Sequence, residues 1–521
     1  MHHVPVLVIG GSLVGLSASL FLAWRGVPNI VIEKHQGSAL HPRAMGFTER
    51  TMEYFAAAGL GDRIAQVAPG TRLRRAVVES LAGRWMHETE WTPGASAPAP
   101  HEVVTPHTGA AIPQDKLEPI LRSRAVELGS QLWLGTELAS FEQDAGGVTA
   151  AVRLRSTGEE RRIRAAYLIA ADGASSGIRE ALGIEREGVG HLRMVESVLF
   201  RCPEADQYLE RGIQQFEIEQ PGVRAFLTTY GDGRWLLLRT DGQPLDEQRL
   251  EPFIRACLGK DLPFEVITTG RWEMAGRIAT KYSEGRVFLA GDSAHQLPPT
   301  RGGFGANTGI DDAWNLAWKL AAVVHGPSSP GLLGTYSAER QPIGWLRHQQ
   351  TFSRPDYAKW LKDPIEAQPL LPDLAMELGQ LHRSQAVIGA GDDLPAAAPP
   401  GAWAGHPGVR APYLKMSSRK GDLSTLDLVG KQFTLFAEEA KWIDAAARVS
   451  ACEGVQISSV HVGHDVWAEP GEFRRKFGLS PEGASLVRPD GIVGWRCPAG
   501  APDVEKALRA AIQQLAFLQP A

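Results

Sequence analysis

An apolar run that stops abruptly at paired glycines leaves a chain few ways to fold, and this one begins Val4-Pro-Val-Leu-Val-Ile9-Gly10-Gly11-Ser12-Leu13-Val14-Gly15. The run is too short for a membrane span and lacks the basic leader of a secretion signal, so it predicts a buried strand. Residues 12–25 follow with a helical pattern and residues 30–33 predict a second strand, which together make one βαβ unit. At the turn, unpaired N–H groups and the helix dipole favour a pyrophosphate. The usual middle glycine of such turns is Ser12 here, while Gly11 beside it keeps the turn small. Glu33 closes the second strand 18 residues after Gly15, where an acid can hydrogen-bond a ribose hydroxyl, and Lys34 follows it. Gly10, Gly11, Ser12, Leu13, Val14, Gly15, Glu33 and Lys34 are therefore candidate dinucleotide contacts, and on this ground alone NAD fits as well as FAD.

The rest of the chain sets limits. Its 521 residues predict roughly two to four domains. With 54 basic against 59 acidic side chains and no Lys/Arg block, nucleic acid is not an expected partner, and no membrane span is expected. Cys202, Cys257, Cys452 and Cys497 make neither a CxxC nor a metal-ligand spacing, so no metal is expected and a cytoplasmic location is. A helix is predicted over 115–128 and strands over 148–155 and 161–169. Between 194 and 272 the pattern turns to strands (195–200, 214–219, 225–230, 235–239), which predicts an inserted, mainly antiparallel domain. A short strand at 287–290 and a helix over 309–324 then resume the first domain. Residues 393–412, rich in Pro, Ala and Gly, read as a linker. Beyond them, strands at 433–436, 455–461 and 484–487 alternate with helices near 442–452 and 504–517.

Two further strings carry chemistry. Tyr167-Leu-Ile-Ala-Ala-Asp172-Gly173-Ala-Ser-Ser-Gly177-Ile-Arg179 is a strand ending in an Asp-Gly turn. Gly285-Arg-Val-Phe-Leu-Ala-Gly291-Asp292-Ser293-Ala294-His295-Gln-Leu-Pro298-Pro299-Thr-Arg-Gly302-Gly303-Phe-Gly305-Ala306-Asn307-Thr308-Gly309 delivers an Asp at a strand end and then opens a helix through a glycine-rich loop. In their order and spacing over about residues 4–345, the three strings resemble the class A FAD-dependent aromatic hydroxylases, the para-hydroxybenzoate hydroxylase-like group.

The resemblance implies an α/β fold: a discontinuous Rossmann-like FAD-binding domain (1–75, 100–185, 273–345), an inserted mainly antiparallel β-sheet substrate domain (76–99, 186–272), a helical connection (346–392), the linker, and a thioredoxin-like α/β domain (413–521) without the redox CxxC. It also implies roles. Asp292 accepts from a ribityl hydroxyl, N–H groups around Gly303, Gly305, Ala306 and Asn307 face the flavin pyrimidine edge after Pro299, and Asp172-Gly173 supports flavin and nicotinamide alike. His41-Pro42-Arg43-Ala44 matches a segment whose arginine lies near the flavin, and Gln114 matches a glutamine that contacts FAD.

Gln114-Asp-Lys-Leu-Glu-Pro, Arg383-Ser-Gln-Ala-Val, Gly408-Val-Arg410-Ala-Pro, Ser424-Thr-Leu-Asp-Leu and Leu486-Val-Arg-Pro-Asp-Gly-Ile-Val-Gly-Trp495-Arg extend the resemblance to the actinomycete aromatic polyketide hydroxylases, the group of the aklavinone and angucycline hydroxylases. That implies hydroxylation of a polycyclic phenol with O2 and NADPH or NADH through a flavin hydroperoxide, with a homodimer possible. Two alternatives stand beside it: a Baeyer–Villiger monooxygenase acting on a related ketone, and a non-catalytic FAD-binding or substrate-sequestering protein. The chemistry is flavin-based and no catalytic side chain is identified. His295 lies inside a flavin string, and Cys452 in a predicted helix. Phe216, Phe226, Tyr230, Trp235 and Trp272 are candidate walls of a flat pocket, each also explicable as core.

Overall fold

The computed structural model describes residues 1–39, 41, 44–69, 71, 74–90, 103–239, 245–299 and 304–518. The opening string folds as strand β1 (His2–Ile9), helix α1 (Leu13–Trp24) and strand β2 (Asn29–Glu33), with β1 and β2 parallel. Val6, Leu7 and Val8 are completely buried, as consecutive residues of a parallel strand covered on both faces must be. On the other flank of β1 run Glu160–Ala170 and then Val287–Leu289, both in the same direction, and beyond β2 runs Gln131–Leu134. Helices α2 (Glu49–Ala57), α3 (Gln114–Glu127), α4 (Phe304–His325) and α5 (Gly331–Phe352) belong to this layer, α1 packing on both α3 and α4.

Helix α4 corrects the sequence expectation, because it starts at Phe304, not at 309. Gly305 and Gly309 are poor helix formers and disguised its first turns. Packing overrides propensity at Gly309, where a Cβ would come within 2.5 Å of Val14 Cγ2. Gly305, Ala306 and Asn307 are accordingly helical, not loop, residues.

The second sheet runs in the order His295–Gln296, Glu265–Ala279, Arg186–Arg201, Arg234–Arg239, Val223–Thr229, Gln215–Gln220, Arg74–Val78, Trp85–Glu90, antiparallel throughout except where Gln215–Gln220 meets Arg74–Val78. Its longest pair, Arg186–Arg201 with Glu265–Ala279, is bulged and far longer than the strand expected at 195–200. One face packs against helix Glu247–Leu258 through Val198, Phe200, Phe216, Leu227, Trp235 and Ile254. Alternation along a strand turns Phe226 and Leu199 to the opposite face, and Trp272, which pairs with Val195, joins them there. Of the five candidate pocket aromatics, Phe216 and Trp235 are thus core residues, fully buried.

At the C-terminal end, Phe433–Ala437 pairs in parallel with Ile457–His461 and antiparallel with Ala484–Val487, which pairs with Val493–Cys497. Helices α6 (Ala440–Glu453) and α7 (Val504–Leu515) cover one face. Residues 393–412 are no slack spacer: Ala397, Trp403, Val409 and Ala411 are buried, and Arg410 is ion-paired with Glu53 of α2. A composition poor in large apolar groups hid packing that depends on one arginine and one tryptophan. Among the described residues no helix is long and apolar enough to cross a membrane, and no cluster of side chains is suited to a metal.

Candidate functional site

Four neighbouring parallel strands end side by side, in the order Val287–Leu289, Glu160–Ala170, β1, β2; each of the first three is followed by one of the strings singled out in the sequence, and the fourth ends in a candidate residue. Gly291-Asp292 follows the first, Asp172-Gly173 the second, the paired-glycine turn the third, and Glu33 closes the fourth. Segments that are distant in sequence thereby line one edge, the carboxyl edge at which open α/β sheets bind ligands.

The turn after β1 tolerates nothing larger than glycine at its tight points. A Cβ on Gly10, whose φ is +105°, would lie 2.1 Å from the Ala171 carbonyl oxygen, and one on Gly15 would lie 1.8 Å from the Gly10 carbonyl oxygen. Ser12 is different. Its φ of -94° suits any residue, and its hydroxyl donates to Glu118 Oε1 at 2.7 Å while Gln114 Nε2 donates to Ser12 Oγ at 2.8 Å. The departure from glycine is therefore a built contact between α1 and α3. Leu13 is buried in the core and Val14 wedges against Gly291 as well as Gly309, so the first and third strings touch directly. Glu33 accepts from the N–H of Gly11 at 2.6 Å and of His35 at 2.8 Å, while Lys34 is exposed. The acid buttresses the turn before any ligand arrives.

Asp172 sits beside the turn with Oδ2 accepting from the Ile178 N–H at 3.4 Å; its Oδ1 is buried and has no hydrogen-bond partner among the described residues. Burial raises its carboxyl above the usual range. Around Gly173, whose φ is +87°, a Cβ would meet nothing within 4 Å. Open backbone beside an orphaned oxygen is what a nucleotide needs there.

The Asp292 turn is held from behind. Ser293 Oγ donates to the Ala170 carbonyl at 2.7 Å, and the Gly291 N–H donates to Asp312 Oδ2 on α4 at 3.2 Å. His295 Nε2 meets the same oxygen at 2.8 Å and Arg340 Nε donates to Asp312 Oδ1 at 2.8 Å. His295 is fully buried in this network and faces no cleft. Asn307 is likewise spoken for: its Oδ1 accepts from Thr51 Oγ1 at 2.6 Å and from the Thr48 N–H at 3.1 Å, which leaves helix dipole and backbone as what this end of α4 offers a ligand. Asp312, Arg340 and Glu118 were missed in the sequence. For Asp312 the signal was the Asp311-Asp312 doublet on a helix whose flanking residues are largely apolar.

The sheet face carrying Phe226 and Trp272 turns toward these loops. A Cβ on Gly270 would lie 3.5 Å from His41, and Tyr357 donates to the Pro299 carbonyl at 2.6 Å while Arg193 lies 3.9 Å from the centre of the Trp360 ring. Arg43 and Gly303 lie outside the described residues. A groove of about 1380 Å³ beside Trp24, Tyr413 and Lys431 is lined by none of the strand-end strings. Cys452 is exposed and Cys202 and Cys257 are buried, all as free thiols.

A family model described as an FAD binding domain matches residues 3–351, and one described as aromatic-ring hydroxylase, C-terminal, matches residues 404–516. The aklavinone 12-hydroxylase of Streptomyces purpurascens is 37% identical over 549 residues, covering 99% of each chain. A 4-methyl-5-nitrocatechol 5-monooxygenase of a Burkholderia species is 38% identical over 540 residues, covering 98% of this chain and 97% of the relative. A crystal structure of aklavinone-11 hydroxylase in complex with FAD and aklavinone is similar with a TM-score of 0.88 at 33% identity, over 99% of both chains.

Proposed function

The chain belongs to the FAD-dependent aromatic-ring hydroxylases, and from that membership we propose that it adds a hydroxyl group to a polycyclic phenol of the polyketide type, using O2 and NAD(P)H. The observation that carries this reading is the convergence of the three nucleotide-type strings, and of Glu33, on one carboxyl edge. The buried oxygen of Asp172, without a partner among the described residues, and the open backbone at Gly173 fit a flavin nucleotide. Relatives of similar length are named for aklavinone and for 4-methyl-5-nitrocatechol; the first supports a polyketide-type substrate and both support an aromatic one.

In this reading residues 10–15 receive the pyrophosphate, Glu33 a ribose hydroxyl, Asp292 a ribityl hydroxyl, and Gly305, Ala306 and Asn307 at the start of α4, together with Gly303 before it in sequence, the pyrimidine edge. Arg43, Gln114 and Pro299 complete the cofactor's surroundings. Bound FAD, once reduced by NAD(P)H, supplies the electrons that let one atom of O2 enter the ring while the other leaves as water. The chain's part is to bind, to orient and to keep water out. In this reading Phe226 and Trp272, on the sheet face opposite the core, are the candidates to line a flat substrate, and the helix dipole of α4 favours negative charge on the pyrimidine. We assign the C-terminal unit, with its βαβ start and flanking helices, as thioredoxin-like. Lacking paired cysteines, it has no disulfide chemistry and serves the assembly of the fold. We keep the domain division by residue ranges given above as part of this proposal, except that residues 393–412 are packed against the fold and strand Glu265–Ala279 crosses the 272/273 boundary.

The test is product analysis. Purified protein supplied with FAD, NADPH and a tricyclic or tetracyclic phenol should oxidise NADPH faster with the phenol than without it, and the product should gain one oxygen atom as a ring hydroxyl. A lactone would make it a Baeyer–Villiger enzyme, and no turnover with any such phenol would contradict the reading.

A further inference from the structure

The group that holds the Asp292 turn in place is itself ionised, fully buried and remote from the cleft. Asp312 has no exposed surface, and neither has His295; Arg340 has 1%. Burial of a carboxylate is costly, and a well-packed apolar residue would join α4 to α5 as firmly. What an apolar residue could not do is accept the N–H of Gly291. Gly291 is held at φ +66° with Val14 Cγ2 2.8 Å from where a Cβ would be, and the turn's other bonds, Ser293 Oγ to the Ala170 carbonyl, the Ala290 N–H to Ser293 Oγ and the Ala294 N–H to the Gly291 carbonyl, do not engage the Gly291 N–H, which goes to Asp312. An orphaned buried N–H would drive the turn to shift, and Asp292 would move with it.

We propose that Asp312 and Arg340 are positioning residues for the cofactor: Asp312 fixes the backbone of the Asp292 turn, and Arg340 fixes Asp312. Three donors share the carboxylate, the Gly291 N–H and His295 Nε2 on Oδ2 and Arg340 Nε on Oδ1. Arg340 is oriented in turn by Nη2 donating to the Thr308 carbonyl at 3.2 Å and by Asp311 Oδ2 at 3.6 Å. Its neighbour Glu339 accepts from Arg488 Nη1 at 2.7 Å, which ties α5 to the C-terminal part of the chain. His295 and Arg340 hold the Asp312 carboxyl below the usual range against the opposing effect of burial, so the acceptor stays ionised.

This inference rests on the assignment of Asp292 to the ribityl chain, and the experiment separates the two. The full chain, stripped of FAD, is titrated with FAD and with ADP, which reaches only the paired-glycine turn and Glu33. Asp292→Ala, Asp312→Asn and Arg340→Lys are compared with the parent. An asparagine side chain has one oxygen where that of Asp312 has two, so the Asp312→Asn variant cannot serve the Gly291 N–H and Arg340 together. All three variants should bind FAD about 10- to 100-fold more weakly while ADP affinity stays within about twofold. A merely structural role would weaken both ligands alike. If Asp312→Asn does not fold, Arg340→Lys, which keeps a cation in the site, carries the test. An unchanged FAD-to-ADP ratio in Asp312→Asn and Arg340→Lys, with Asp292→Ala selective for FAD, overturns the proposal alone; an unselective Asp292→Ala overturns the assignment of Asp292 with it.

Discussion

The cofactor edge and the C-terminal junction solve opposite problems with opposite materials. At the edge, glycines form the tight points of the turn after β1, and an oxygen of Asp172 has no partner among the described residues. At the junction, Arg488 commits Nε and both Nη to Glu339, Asp490 and the Ala386 carbonyl, Lys319 adds to Glu339 at 3.0 Å, and Trp318 Nε1 donates to Asp490 at 3.0 Å. Every one of these charged groups is buried. A surface that must receive a ligand keeps bonding capacity in reserve, whereas the junction commits its charged groups within the protein, Asn315 Oδ1 being the one oxygen of that cluster without a partner among the described residues.

That contrast can be broken at either end. Gly15→Ala should have the largest effect, because its methyl meets backbone, not a yielding side chain, 1.8 Å away. FAD binding should fall by roughly 1000-fold or more, read by fluorescence titration, since the helix start that faces the phosphates must move. Arg488→Met should leave Glu339 and Asp490 buried without their guanidinium and cost about 3–5 kcal/mol, read as a lower urea midpoint. Were it neutral, the junction would be packing alone.

A smaller effect sharpens the comparison at a third place, where α5 meets the inserted sheet. His348 is buried, accepts the Val189 N–H on Nε2 at 3.2 Å, and is pushed down to about 4 by burial. With the folded value below the unfolded one, the neutral ring's contribution is complete above about pH 6.5 and is lost as pH falls toward 4. Up to about 3 kcal/mol should disappear across that window and should be missing from the acid profile of His348→Gln.

How much of this could be read in the sequence differs between the two regions for the same physical reason. The cleft depends on backbone conformation, and backbone demands leave local marks: Gly10 and Gly15 are glycine because their neighbours forbid a Cβ, so the turn, its strand and Glu33 were visible in one short window. The helix start at Phe304 was not, since Gly309 answers to Val14, nearly three hundred residues away in the chain. The junction left no local mark at all. Glu339 and Arg488 are 149 residues apart, and nothing near either one announces the other. Arg410 within a linker-like stretch is the same case, as its partner Glu53 lies on α2. Ser12 shows the limit of motif reading: it looked like a flaw in a glycine string and is a built contact to Glu118. Phe216 and Trp235 could not be told from Phe226 and Trp272 until strand register fixed their faces.

The most direct test of the account is a crystal structure of the chain loaded with FAD. The pyrophosphate should lie over residues 10–15 and the ribityl chain within hydrogen-bonding distance of Asp292, with the flavin ring facing Phe226 and Trp272. A flavin bound anywhere else, or well-folded protein that takes up none from excess FAD, would contradict it.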